Sequence, residues 1–248
     1  MRIPFSHKHI FFTKHLHGQA LTAAKLRDFK LVVIVQLFMM FTALLVPDIL
    51  NYIIPSVAVV TSEMIFNIGM GLYVYSLWNM LRIYSKSEEL VMFLFMVIIG
   101  IFVLSVIVIN PFFTIIEGVK FQIFSTFIMV ALISVESFAI YFMIREIIAK
   151  DIPISEKLWG AACIYFIIGI TFGGVFEILC IWDISHLPID VPLRVLHFMR
   201  SIDYSFLVLS GLDNPYVNIS AIVRRLSTIE SIWGNLFIVF VVGRMLYK

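Results

Sequence analysis

The sequence predicts an all-α membrane protein with six transmembrane helices and a re-entrant pore helix and loop between helices five and six. Three observations carry this. Of 248 residues, 61% are hydrophobic and 14% charged, with a mean hydropathy of +1.03, whereas soluble chains carry about 25% charged residues. The apolar residues gather into charge-free runs close to the roughly 20 residues a helix needs to cross the hydrocarbon core. Between the last two runs lies a stretch that is apolar in its middle yet too short to cross. Eighteen Lys and Arg against 16 Asp and Glu leave a net charge of only +2, so no nucleic-acid partner is expected.

Span one is residues 31–47, between Lys30 and Asp48. Span two is 64–81, between Glu63 and Arg82, its helix starting near Val57 after Pro55. Span three, 90–109, stops at Asn110-Pro111, because proline restricts the residue before it and cannot continue the helical ladder. Span four is 121–144, interrupted by Glu136; span five is 158–181, with Glu177 near its end; span six is 226–243, with Glu230 inside it. Residues 191–216 are apolar at 204–212 but broken by Arg194, Arg200 and Asp203. Backbone that enters a membrane without crossing is tolerated only where protein or a water-filled cavity surrounds it. A short helix capped by Asp190, with Pro192 in its first turn, is therefore expected to dip in beside an aqueous vestibule.

Orientation follows from the basic residues. With both termini cytoplasmic, thirteen Lys and Arg fall inside, and only Lys120, Arg194, Arg200, Arg224 and Arg225 fall outside, the bias expected of a cell (inner) membrane protein. The re-entrant segment then enters from outside. Residues 1–30 form a cytoplasmic basic arm without an apolar core, so span one is expected to be an uncleaved anchor rather than a signal peptide. Residues 31–157 form a four-helix region and 158–248 a pore-type module. His7, His9, His15 and His17 in the arm suit metal ligation, or more simply a solvated interfacial segment. Cys163 and Cys180, in one span, stand roughly 25 Å apart along a helix and cannot bridge. No cofactor or metal is expected.

The last ninety residues carry a motif. Tyr204-Ser205-Phe206 is followed by 207–215 and then by a helix reading RRLSTIESIWGNLFIVFVVGR, with Arg224, Leu226, Glu230, Gly234 and Arg244 in order. This stretch resembles the pore domain of the potassium-channel superfamily, most closely its small prokaryotic members with four further helices ahead of the pore; the first 157 residues match only in hydropathy and span count. The resemblance implies that four chains close around an axis, that the loop after the short helix is an ion filter, and that Gly234 stands where the family's inner helix can bend. Aligned on Ser205-Phe206, the family's TLTTLGYGD falls on VLSGLDNPY at 208–216. Ser210 and Gly211 stand at the paired threonines, Leu212 is conservative, and Asp213, Asn214 and Pro215 replace Gly-Tyr-Gly. Glycines there let successive carbonyls replace the hydration shell of potassium, whereas Pro215 fixes φ near −65° and removes a donor. Strict potassium selectivity is not expected. Four copies of Asp213 would instead make a carboxylate ring that attracts monovalent or divalent cations. Asp-Asn-Pro is also an ordinary turn composition, and both readings stand on the sequence.

A charge inside a span costs about 2.5 kcal/mol or more unless paired or protonated. Glu136, the deepest, is expected in a polar contact between helices, and Glu230 in a structural pair with Arg224 and Arg225; Glu63 and Glu177 lie at span edges. A proton-coupled carrier using Glu136 is a rival function, weakened because no second ionisable residue aligns with it in neighbouring spans. Ser227, Ser231, Gly234 and Ile238 share one face of span six, suited to lining a pore or to close packing, and Gly169 and Gly173 invite packing. Span four holds no arginine ladder, so voltage sensing is not expected. Nor is catalysis, for phosphate-loop, metal and nucleophile motifs are missing. The expected function is passive cation conduction by a homotetrameric ion channel in the lipid bilayer, with a non-conducting regulatory relative as the alternative.

Overall fold

The computed structural model describes residues 19–84, 87–108, 116–148, 153–184, 187, 193–212 and 219–246. These form seven helices and no strand: α1 Gln19–Ile53, α2 Ala58–Tyr84, α3 Glu88–Val108, α4 Gly118–Ile148, α5 Ile154–Ile181, α6 Val195–Ser210 and α7 Ala221–Leu246. Helices α1 to α5 are each long and apolar enough to cross a bilayer, so the chain is a membrane-embedded helical protein. Phe93, Met96 and Phe102 on α3 and Ile123, Phe127 and Tyr141 on α4 are exposed, an outer surface suited to lipid rather than water.

Two boundaries differ from those expected. Helix α1 runs through Pro47 to Ile53 instead of stopping at 47, because neighbouring helices in a membrane bundle accommodate the backbone groups that proline frees. Helix α6 starts at Val195, after Arg194 in extended conformation (φ −148°, ψ −163°) with no side-chain cap. The N-cap position is therefore held by Arg194 and the first turn begins at Val195, not at the expected Asp190 and Pro192, which themselves lie outside the described residues. An acceptor for the start of α6 comes from another helix, as the Leu196 N–H donates to Glu63 Oε1 on α2 at 3.4 Å.

Helix α5 is the hub. In its apolar stretch 61% of residues are buried, against 28–39% in the other four candidate spans, because α1, α4 and α7 flank it and α6 docks on it. Polar ties hold the bundle ends. Lys25 of α1 pairs with Glu146 of α4, and the Asn79 amide of α2 donates to Asp28 of α1 at 2.9 Å. At the opposite end Arg200 of α6 meets Asp48 of α1 at 3.1 Å, and the Trp182 indole donates to Thr126 of α4 at 2.8 Å.

Candidate functional site

Sixteen residues make α6 about 24 Å long, short of the roughly 30 Å hydrocarbon core. Even so, ten of them are buried: Val195 to Met199, Ser201, Ile202, Tyr204, Ser205 and Leu209. Small residues on α5 make this seat possible. A Cβ at Gly169 would stand 2.6 Å from Phe206 Cε1, and one at Gly173 would stand 3.0 Å from the Ile202 Cα, so the two glycines let α6 lie nearly backbone to backbone on α5.

Polar side chains peg the seat. His197, Ser201 and Ser205 fall at i, i+4 and i+8, one stripe of α6. Glu177 Oε2 on α5 lies 2.6 Å from His197 Nδ1 and accepts from the Ser201 hydroxyl at 2.9 Å, so one carboxylate serves two consecutive turns. One turn on, Ser205 donates to the Gly169 carbonyl at 2.7 Å and also touches Glu230 Oε1 on α7. A serine hydroxyl has a single proton. That proton serves the Gly169 carbonyl or the Glu230 carboxyl, one at a time, and the second carboxyl oxygen, Oε2, is enclosed with no partner among the described residues. Glu230→Gln, which keeps an acceptor for Ser205 and the side-chain volume, is therefore expected to unfold within about 0.5 kcal/mol of wild type, whereas Ser205→Ala costs about 1–3 kcal/mol; thermal denaturation in micelles separates the two.

The expected pairing of Glu230 with Arg224 and Arg225 is replaced by this contact. Five or six residues at roughly 100° each carry Glu230 round to the side of α7 that faces α6, while both arginines stay exposed. The face of α7 considered for a pore is largely a packing face. Ser227 Oγ lies 2.7 Å from the Tyr204 hydroxyl, and a Cβ on Gly234 would stand 2.7 Å from Leu209 Cδ2. Ser231 is half-buried; Ile238 turns outward with Ile232, Trp233, Leu236 and Val239.

At its far end α6 closes on Gly211 in the left-handed conformation (φ 68°), with the Gly211 N–H on Val208 O and the Leu212 N–H on Leu207 O, both at 3.2 Å, the arrangement for which glycine has no Cβ penalty. Ser210, Gly211 and Leu212 are exposed there. The helix terminus carries a partial charge of about −0.5, which favours a cation beside these residues. Asp213, Asn214 and Pro215 lie outside the described residues.

Glu136 sits apart from this constellation. It is fully enclosed and accepts from the Tyr73 hydroxyl of α2 and the Thr171 hydroxyl of α5, each at 2.8 Å, the interhelical polar contact expected of it. The partners themselves, Tyr73 and Thr171, and the anchors Glu63, His197 and Ser201 carried no functional sign in the sequence beyond their polarity in apolar surroundings. Among the described residues no three His, Cys, Asp or Glu side chains converge as metal ligands. Cys163 and Cys180 are free and buried, and the histidine arm lies outside the described residues.

Compared with protein-family models, curated proteins and solved structures, the chain matches none.

Proposed function

We propose that the chain is the pore-forming subunit of a cation channel. Helices α1 to α5 and α7 make six crossings with both termini cytoplasmic, α6 dips into the bilayer between α5 and α7 without crossing, and four chains close around the axis that the α6 ends face. The observation that supports this most is the seating of α6. A helix too short to cross is pegged on both flanking helices, by Glu177 and the Gly169 carbonyl on α5 and by Glu230 and Ser227 on α7, with its negative end and Ser210 to Leu212 left exposed. Rigid support on both sides with a free terminus is what a filter loop requires. The resemblance of 158–248 to potassium-channel pores points the same way, and the exposed apolar strip of α7 supplies a surface for neighbouring copies.

Conduction then proceeds by attraction to the helix ends and the Asp213 ring, partial dehydration against carbonyls and carboxylates, and exit between the α7 helices. Potassium is not singled out, since Asp213-Asn214-Pro215 stands where the Gly-Tyr-Gly carbonyl stack belongs. A carrier using Glu136 is less well supported, for it is fully buried and both its oxygens are already occupied by hydroxyl donors. Flux of sodium, potassium or calcium into liposomes holding the purified chain tests the proposal. Asp213→Asn is expected to lower cation flux and change ionic preference while the tetramer persists. Intact tetramers without flux would favour the regulatory subunit; a monomer would end both readings.

A further inference from the structure

A cavity of about 540 Å³ opens on the side of the bundle, between α2, α3 and α4, with its inner wall formed by the end of α5 and the start of α6. Its size is that of a ligand pocket, but its position is that of a lipid. It is built from residues 64–75 of α2, 95–106 of α3, 121–132 of α4 and the last turns of α5. Each of the three long stretches covers about 17 Å along its helix axis, roughly half of the 30 Å hydrocarbon core, so the groove has about the depth of a single leaflet. Its walls are apolar, with Phe95, Ile98 and Phe102 on α3 and Leu132 on α4, and its outer lip carries Met64, Ile68 and Val106, which are exposed as lipid-facing residues are.

Asn67, Tyr75, Ser105, Ser125, Glu177 and Arg194 break the apolar lining, and two of them point to a ligand. Ser125 is 2% exposed and its hydroxyl, inside the groove wall, has no partner among the described residues. Arg194 stands at the end of the groove that belongs to the helix ends, and it makes no ion pair within 4 Å among the described residues. The two carboxylates near it are engaged with α6: Glu63 accepts from Leu196 N–H, and Glu177 from His197 and Ser201. A guanidinium offers five donors in a fork that fits a phosphate. An apolar slot one leaflet deep with an arginine at headgroup level matches a phospholipid, tail inward and phosphate outward.

We infer that this groove is a binding site for an anionic membrane phospholipid, with one acyl chain between α2, α3 and α4 and its phosphate on Arg194. The inference does not depend on the chain conducting ions. Trp78 supplies the probe: it is 4% exposed, and its ring lies 4.7 Å from Phe95 in the groove wall, so chains in bulk lipid are shielded from it while a chain in the groove is not. The protein carrying Trp159→Phe, Trp182→Phe and Trp233→Phe is placed in phosphatidylcholine vesicles containing either phosphatidylglycerol or phosphatidylcholine with brominated chains. Brominated phosphatidylglycerol is expected to quench Trp78 at about tenfold lower mole fraction, the worth of one charge-assisted contact. Arg194→Gln removes that preference and leaves quenching by either lipid, and Ser105→Phe, which fills the slot, removes quenching altogether. Equal quenching by the two lipids with Arg194 intact overturns the headgroup assignment; quenching unchanged in a folded Ser105→Phe protein overturns the site. Should Ser105→Phe fail to fold, the comparison of the two lipids on the unfilled groove decides.

Discussion

Glu177→Ala is expected to cost about 3 kcal/mol of stability, the largest loss of any single side chain at the α5–α6 contact. The carboxylate is 3% exposed and is the shared acceptor of His197 and Ser201. Its removal leaves two polar groups in an apolar interior, at about 1–3 kcal/mol for each unsatisfied group, and the start of α6 loses its peg to α5. Glu177→Gln keeps the carbonyl oxygen as acceptor and the side-chain volume, and is expected to cost much less. Thermal denaturation of the purified protein in micelles measures both. An alanine variant as stable as the glutamine variant would show that α6 is held by apolar packing alone. If the proposed function is right, the alanine variant also loses flux in liposomes, because the helix that presents Ser210 to Leu212 is no longer fixed.

Gly173→Ala is expected to cost about 2 kcal/mol, within the range for forcing atoms into a packed interior. Alanine normally gains about 1 kcal/mol over glycine inside a helix. Here the added methyl meets the Ile202 Cα at 3.0 Å and its amide nitrogen at 3.2 Å. Backbone cannot swing aside as a side-chain tip can, so α6 must lift from α5 as a body. Gly174→Ala, one residue on, is the internal control. Its nearest neighbours are the Ile133 side-chain carbons at 3.4 Å, ordinary contact, and the intrinsic preference for alanine is expected to leave it neutral or slightly more stable. Gly234→Ala falls between, since the atom it meets is a Leu209 methyl free to rotate. A loss at 174 equal to that at 173 would mean that helix propensity, not the close approach of α6, sets the outcome.

The helices themselves were legible because bilayer thickness imposes a length and hydropathy requirement that acts on each segment separately. The five spans expected over 31–181 all coincide with long apolar helices, and the segments around 195–210 and 221–246 are helical where a short helix and a last helix were expected. Their ends were less legible. Pro47 reads as a stop in a free helix and is passed over inside a bundle, and the start of α6 takes its acceptor from Glu63, far away in sequence.

What the sequence determined by itself is the class of the molecule: apolar helices in a membrane, the unusual short segment before the last one, and the buried carboxylates that needed partners. Tertiary structure alone decided who those partners are. Glu230 was expected to reach Arg224 and Arg225 because they are close along the chain, yet it meets Ser205, since the rotation of α7 is set by Gly234 packing on Leu209 and Ser227 meeting Tyr204. Hydropathy depends on what each residue is, whereas pairing depends on which faces two helices turn to each other, and that is settled only when the whole bundle packs.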